Sequence, residues 1–256
     1  MLGMEKLIQE EVDLFKTFIS KNSSEPFDFM NKLNLPILNA LWKVTVGERF
    51  EYDNPRLLSI VERLTEAFKL LMRPTRALFV SFPWLLKIFP NFFNREISVF
   101  SDIIDLMEEN IIKHQETMDP NEPRDFTDMM LIEIENTRDQ SSSMFGQFGI
   151  DNLKVTLFDL FQAGSETTST TLTWAMLYMV RYPEIQRKVQ RELDMIVGVD
   201  RMPTMQDSAS LPYTEVVKTY RRHLRSLISD ITIIKAVIME IQRHANIVPM
   251  GLHHIT

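Results

Sequence analysis

The sequence predicts a mainly α protein built around one long central helix. The first observation is that residues 149–182 contain no proline and place apolar side chains on several helical faces. A helix of that length extends roughly 50 Å at 1.5 Å per residue, enough to cross a domain. The second observation is that apolar side chains recur at helical spacing in other segments, such as residues 1–20 and 57–72.

The composition limits the classes of protein. The chain has 256 residues, of which 45% are hydrophobic and 25% charged, as in ordinary globular proteins. A net charge of −7 gives no reason to expect a nucleic-acid partner. We find neither a signal peptide nor an apolar run long enough for a spanning helix. The chain contains 0 cysteines, so it can supply neither a disulfide nor a thiolate metal ligand.

Five helices are predicted before the central one. Apolar side chains at helical spacing place them at residues 1–20, within residues 26–50, and at residues 57–72, 97–116 and 124–135. The third is clearly amphipathic, because charged residues occupy the face opposite its apolar residues. We expect these helices to bury their apolar faces together.

Residues 79–93 have a different composition from the helices on either side. The segment is aromatic, is interrupted by Pro83 and Pro90, and is too short to span a bilayer. One interpretation is a buried connector between two helices. The other is a surface that enters a membrane interface, where Trp and Phe side chains are favoured.

Turn and cap residues predict the ends of the central helix. Gly149, Asp151 and Asn152 are typical of a helix start, where side chains satisfy free backbone N–H groups. Pro183 disfavours helical backbone at the residue before it, so we expect the helix to end at Tyr182. Being apolar nearly all round, this helix is expected to be buried.

The middle of the central helix is unusual. Gly164 costs about 1 kcal/mol relative to alanine in a helix. The hydroxyl side chains of residues 165–171 can bond back to the preceding turn and bend the helix. Burial of the Glu166 carboxylate beside Thr167, at a weakened point of the helix, costs free energy. Two interpretations remain open, a kinked core helix and a functional site.

Residues 163–168, Ala-Gly-Ser-Glu-Thr-Thr, match the [AG]-G-x-[DE]-T-[TS] motif of the cytochrome P450 monooxygenases. Three other segments resemble that family. They are G-x-R-F-x-Y at residues 47–52, P-R-D-F-x-D at 123–128 and L-P-Y-T-[DE] at 211–215. Together with the flanks of the motif, they resemble the microsomal, drug-metabolising branch.

The resemblance implies which part of the fold this chain represents. We expect the helical middle portion of the cytochrome P450 fold, as a single partial domain over residues 1–256. The N-terminal anchor, the first sheet and helices, and the C-terminal haem-ligand loop are expected to be absent. Residues 216–235 interrupt the family pattern and are interpreted as an insertion. This segment is either a retained in-frame intron or a genuine surface insertion, which long loops tolerate.

The resemblance also implies a function. The family activates dioxygen on a haem iron held by a cysteine thiolate, and inserts one oxygen atom into an organic substrate. We therefore expect a haem-dependent monooxygenase of small organic or xenobiotic substrates. Without cysteine, this chain alone is expected to be inactive. The alternative is a truncated, non-catalytic helical product without haem.

Site residues follow by matching the family's motifs. Glu166 would relay protons, and Thr167 would hydrogen-bond the ligand of the iron or a nearby water. Ala163, Gly164, Thr167 and His254 would contact the haem, although a solvated terminal histidine is an equal interpretation of His254.

Other matched residues have structural or pocket roles. Glu240 and Arg243 lie three residues apart, so they can pair on a helix, and in the family this pair is buried behind the haem. The substrate pocket is expected to be lined by Gln162, Ala163, Val248, Met250 and Leu252. Adjacent His253 and His254 lack supporting ligands, so no metal-ion site is predicted.

The resemblance finally implies partners and a location. We expect a small apolar organic substrate and an NADPH-dependent reductase. The location would be the cytosolic face of the endoplasmic reticulum membrane, with residues 79–93 touching its surface.

Overall fold

The computed structural model describes residues 2–21, 32–207, 233–245 and 247, and the regular elements of these residues are helical. In chain order they are α1 (Leu2–Lys21), α2 (Asn34–Val46), α3 (Pro55–Leu71), α4 (Pro74–Ser81), a 3₁₀ turn (Pro83–Lys87), α5 (Asn94–Thr117), α6 (Phe126–Asn136), α7 (Gly146–Arg181), α8 (Pro183–Ile196) and α9 (Ile233–His244). The predicted mainly α fold is therefore confirmed.

Local capping fixes several helix ends. The Asn54 side chain accepts a hydrogen bond from the Arg56 backbone N–H at 2.8 Å, and Pro55 occupies the first position of α3. At the start of α6, the Asp125 side chain accepts from the Asp128 N–H at 3.0 Å. Helix α2 ends at Gly47, whose φ of 73° is left-handed and favours glycine.

The described residues form two compact units. The unit Leu14–Thr168 contains the main hydrophobic core, built from apolar faces of α2, α3, α5, α6 and the first half of α7. In its centre the ring of Trp42 lies 5.1 Å from the ring of Phe161 and 5.3 Å from that of Phe50. The assignment of residues 1–256 to a single partial domain stays a prediction.

The second unit combines Met1–Asp13 with Ser169–Thr256. Helices α8 and α9 pack together in it, and Ile241 of α9 is buried. The ring of Tyr178 lies 6.0 Å from that of His244. The Gln9 side chain donates a hydrogen bond to the carbonyl oxygen of Pro203 at 2.8 Å, which ties the first helix to the loop after α8.

The central helix begins earlier than the sequence predicted. Helix α7 starts at Gly146, so the expected cap residues lie inside it. A Cβ at Gly149 would lie 2.6 Å from the carbonyl oxygen of Met144, so this glycine allows a close approach of the preceding loop. The Asn152 side chain donates to the carbonyl of Ser143 at 2.7 Å and holds the same loop. Gly149 and Asn152 therefore pack the preceding loop against the helix and do not cap its start.

One other expectation about the helices needs correction. Helix α7 is not buried all round, because several of its apolar side chains are exposed, and these include Val155, Leu160, Leu172, Leu177 and Val180. Residues 79–93 are partly helical, through the end of α4 and the 3₁₀ turn. Residues 208–232 lie outside the described residues, and with them most of the predicted insertion at 216–235.

Candidate functional site

The centre of α7 has a covered side and an open side. Leu160 is 40% exposed, and Ala163, one turn further along, is also exposed. The residues on the covered side are at most 8% exposed, and they are Phe161, Gln162, Ser165 and Glu166. The helix therefore presents small and apolar side chains on one side and polar groups to the interior on the other.

Gly164 lets α2 approach α7 closely. A Cβ at this position would lie 3.1 Å from Cδ1 of Leu41, a tighter contact than side chains normally make. Packing against α2 is thus a sufficient reason for glycine here, at the helix cost noted above. Its expected contact with haem stays a prediction.

Glu166 lies on the covered side and accepts hydrogen bonds from two other helices. Its Oε1 atom accepts from Nδ2 of Asn34, the first residue of α2, at 3.4 Å. The hydroxyl of Thr65 on α3 donates to the same oxygen. Burial of a carboxylate is costly without such partners, so these contacts explain how the fold accommodates Glu166.

Thr167 is the partly exposed neighbour of Glu166. Its hydroxyl donates to the carbonyl oxygen of Ala163 at 2.6 Å, one turn earlier in the helix. A hydroxyl can accept a hydrogen bond as well as donate one. Thr167 and Ala163 thus form a polar point on the helix, beside the exposed Leu160.

Gln162 does not share a surface with Ala163. It is 7% exposed, and its amide nitrogen and oxygen are buried without a hydrogen-bond partner among the described residues. Sequence reasoning expected both residues to line the substrate pocket. The structure instead puts Gln162 on the covered side, so its pocket role is a prediction that the geometry does not favour.

Glu240 and Arg243 form the pair that their spacing predicted. Nε of Arg243 donates to Oε2 of Glu240 at 2.8 Å, and a second guanidinium nitrogen donates to Oε1 at 2.6 Å. Both side chains are more than half exposed, at 57% and 64%. The hydrogen bonds from Arg243 are the main reason that the pKa of Glu240 falls to about 2. The nearby His244 ring contributes less.

Val248, Met250, Leu252 and His254 lie outside the described residues. Their roles toward substrate and haem stay predictions.

The structure reveals a buried cluster that sequence reasoning missed. Nε2 of His114 lies 2.9 Å from Oδ2 of Asp125, and its Nδ1 lies 2.7 Å from the carbonyl oxygen of Asn110. Both oxygens of Asp128 accept hydrogen bonds from the Arg124 guanidinium, at 2.6 and 2.9 Å. The only sequence signal was the P-R-D-F-x-D segment, which gives no hint of a histidine eleven residues before its first aspartate.

These contacts make the cluster an ion-pair network. His114, Asp125 and Asp128 are buried and close enough to suggest a cation site. However, Arg124 already supplies positive charge to Asp128, which holds the pKa of that carboxyl below its ordinary value. His114 is the ion-pair partner of Asp125. A further cation would have to displace both partners, so the donor set does not fit a metal ion.

Burial lowers the pKa of His114, but its contacts raise it by more. The hydrogen bonds to Asp125 and to the Asn110 carbonyl, and the charges of Asp125 and Asp128, together lift this pKa above 6.5. The imidazolium form is thus favoured by the fold.

Comparison with known proteins identifies the family of this chain. The sequence model of the family described as Cytochrome P450 matches residues 1–219. The chain is 34% identical to cytochrome P450 2F2 of Rattus norvegicus over 98% of its own length and 47% of that protein. It is also 34% identical to cytochrome P450 2C8 of Homo sapiens, with the same coverage. Against human cytochrome P450 2J2 the identity is 35%, over 98% of this chain and 45% of that protein.

The chain therefore belongs to the cytochrome P450 family. It spans about half the length of the curated relatives that it matches. The helical middle portion of that fold, which the sequence predicted, is the part that the described residues form.

Proposed function

We propose that this chain forms the helical middle of a haem-dependent monooxygenase. In a full-length protein it would take part in inserting one oxygen atom of O2 into small organic or xenobiotic substrates, with electrons from an NADPH-dependent reductase. The observation that carries the proposal is the pairing of Thr167 with Ala163 beside exposed Leu160, within the family's motif.

The open side of α7 suits one face of a planar macrocycle. Ala163 has a small, exposed side chain that lets a flat group approach the helix, and Thr167 offers a hydroxyl beside it. Haem, when bound by a thiolate, supplies the activation of dioxygen. Since the chain has 0 cysteines, it offers residues for the open face of the haem but not the axial thiolate.

The two polar residues of the motif have separate tasks in this proposal. Thr167 would accept a hydrogen bond at the open face and orient a water or a reacting group there. Glu166 would hold and release protons from the covered side. Ala163 and Gly164 would keep the helix close to the macrocycle, and His254 would contact a haem propionate.

Residues 79–93 are proposed to touch the cytosolic surface of the endoplasmic reticulum membrane. Their exposed side chains include Phe82, Trp84 and Phe89, at 49%, 56% and 55% exposure. Aromatic and apolar side chains of this kind bury well in an interface. Within this segment Lys87 is exposed and no residue is acidic, so an anionic lipid surface would not be repelled. None of the described helices is long and apolar enough to cross a bilayer.

A second candidate function is a non-catalytic helical product that binds no haem. It is favoured by the absence of cysteine and by the exposed apolar side chains of α7. A full-length transcript that encodes a thiolate loop after this chain would exclude this alternative.

Thr167→Ala in a full-length, haem-loaded protein tests the monooxygenase proposal. The variant should bind substrate normally but divert electrons from product into peroxide, because the hydroxyl at the open face is lost. The measurement is product and peroxide formed per NADPH. Wild-type product yield in the variant would refute the role given to Thr167. Thr173→Ala, which removes a similar back-bonded hydroxyl from the same helix, is the matched control.

A further inference from the structure

Thr65 links the Glu166 carboxylate to the surface of its unit. Thr65 donates its hydroxyl proton to Oε1 of Glu166, and it is partly exposed, whereas Glu166 is 8% exposed. Asn34 is the second donor to that oxygen, but it is itself 5% exposed. Of these two partners, only Thr65 therefore borders both solvent and the carboxylate.

The side chains of Thr65 and Asn34 differ in whether they can pass on a proton. A threonine hydroxyl both donates and accepts, so it can pass a proton on and regain one. An asparagine amide nitrogen only donates and cannot be replenished in this way. Asn34 therefore holds Glu166 in place, while Thr65 can also move a proton.

We propose that Thr65 is the point at which protons enter the site, through a hydrogen-bonded path from solvent to Glu166, with Asn34 holding the carboxylate in register. This inference rests on the proposed monooxygenase function. In each transfer the Thr65 hydroxyl gives its proton to Oε1 of Glu166, and its oxygen takes one from a hydronium ion of the solvent, which becomes water. The net result is one proton moved inward, with no change of oxidation state.

The path enters through the covered side of α7, and Glu166 lies about 100° around the helix from Thr167. Glu166 lies on the covered side, against α2 and α3, while Thr167 and Ala163 border the open side. A relay acid must lie within hydrogen-bond reach of its proton source, and Thr65 meets that condition.

The test uses a full-length, haem-loaded protein with Thr65→Val, Thr65→Ser and Thr45→Val. Valine keeps the shape of threonine but removes the hydroxyl, whereas serine keeps the hydroxyl. Thr45 is a matched control, because it is a buried threonine whose hydroxyl only bonds the backbone of its own helix, at 2.7 Å from the Leu41 oxygen.

We expect Thr65→Val to lower turnover by roughly tenfold, less than the factor of about 10² that loss of a transferring acid costs. The share of electrons lost to peroxide should rise, and the solvent isotope effect on turnover should increase. Thr65→Ser should restore all three, and Thr45→Val should change none. Haem content and substrate affinity should be the same in every variant.

A second readout does not depend on activity. With isotope-labelled glutamate, the infrared carboxylate band of Glu166 is isolated as the difference from Glu166→Gln. Loss of the Thr65 hydrogen bond should shift this band in Thr65→Val but not in Thr65→Ser. An unshifted band, or unchanged peroxide and isotope effect in Thr65→Val, would overturn the proposal.

Together with Glu166→Gln, these variants test the proton-entry path separately from the monooxygenase function on which it rests. If Glu166→Gln leaves product yield unchanged, the proton role of Glu166 itself is wrong. If Glu166→Gln lowers the yield while Thr65→Val does not, the function stands and the entry path fails.

Discussion

The Nε2 atom of His114 lies 2.9 Å from Oδ2 of Asp125 in the interior of the unit Leu14–Thr168. The partner nitrogen of the ring bonds the Asn110 carbonyl, so both ring nitrogens face oxygen atoms. Only the imidazolium can donate to both of them. This pair therefore connects α5 to the start of α6 through a charge that depends on pH.

The raised pKa of His114 predicts how stability depends on pH. A group whose pKa is higher in the folded protein contributes stability that is complete below its unfolded value of 6.5. That contribution is lost as the pH rises through the folded value. We expect the free energy of unfolding, measured by urea titration of tryptophan fluorescence, to fall as the pH is raised above about 6.5.

Two histidine variants test which group makes the free energy of unfolding depend on pH. His114→Gln should flatten the dependence in this pH range, because the titrating group is removed. His244→Gln, which changes an exposed histidine, should leave it in place. If the free energy of unfolding of His114→Gln still falls as the pH rises, another group causes the effect.

Gly47 gives a second prediction about the same cluster. Its φ is +73°, and a Cβ there would lie 2.7 Å from Oδ2 of Asp125. Gly47→Ala should destabilise the fold by about 1–2 kcal/mol through the left-handed backbone. Displacing Asp125 from His114 should cost a further amount of about 1–3 kcal/mol.

Gly146→Ala is the control for Gly47. Gly146 also has a positive φ, of +53°, but nothing lies within 4 Å of its added Cβ. It should therefore show the backbone cost alone in chemical unfolding followed by circular dichroism. Equal losses in the two variants would mean that Asp125 is not displaced.

Much of the helical fold could be predicted from periodicity, because helices such as α3 and α5 bury one apolar face. Helix α3 is the clearest case, since Asn54 and Pro55 mark its start and its apolar side is buried. The start of α7 was missed because Gly149 and Asn152 look like caps but serve the packing of a loop 4 to 9 residues away. A local pattern cannot distinguish these two uses.

The site was predictable only in part for the same reason. The residues Glu166 and Thr167 were found from a local motif. The partners of Glu166 could not be found, because Thr65 and Asn34 lie 101 and 132 positions away in sequence. The buried state of Gln162 likewise depends on packing between helices. Long-range contacts of this kind leave no spacing signal in a single chain.

Residues 79–93 give a third prediction, on membrane contact. Phe79 stacks on Phe92 with ring centres 3.6 Å apart, so part of the aromatic cluster packs on itself. Phe82, Trp84 and Phe89 remain exposed. Replacing these three by serine in an anchor-free, full-length protein should lower sedimentation with phosphatidylserine-containing liposomes several-fold, because apolar surface at the interface is lost.

The chain offers a matched control for that experiment. Ile112, Met129 and Val155 are apolar and similarly exposed, at 48%, 53% and 51%. Their replacement by serine removes comparable apolar surface from other helices. It should leave liposome binding unchanged. Equal losses from both triple variants would point to nonspecific apolar binding instead of a defined membrane surface.

The last prediction concerns this 256-residue chain expressed alone and given haem. A thiolate is the ligand that gives the family its characteristic carbon monoxide difference spectrum, and the chain has 0 cysteines. Of the described histidines, His114 is buried against Asp125, and His244 is engaged by Glu240. We therefore expect no thiolate-type band and no monooxygenase turnover. Exposed Val180 and Leu177, at 73% and 54%, should also favour aggregation.

A positive control makes that result informative. A full-length protein that contains this chain and a cysteine loop, without residues 216–235, should give the thiolate-type Soret band under the same conditions. The 256-residue chain is measured beside it with the same amount of added haem. The haem that each protein binds is also measured, so that poor haem uptake is seen directly. A thiolate-type band from the chain alone would be incompatible with its composition and would refute the expectation that it is an inactive part of the enzyme.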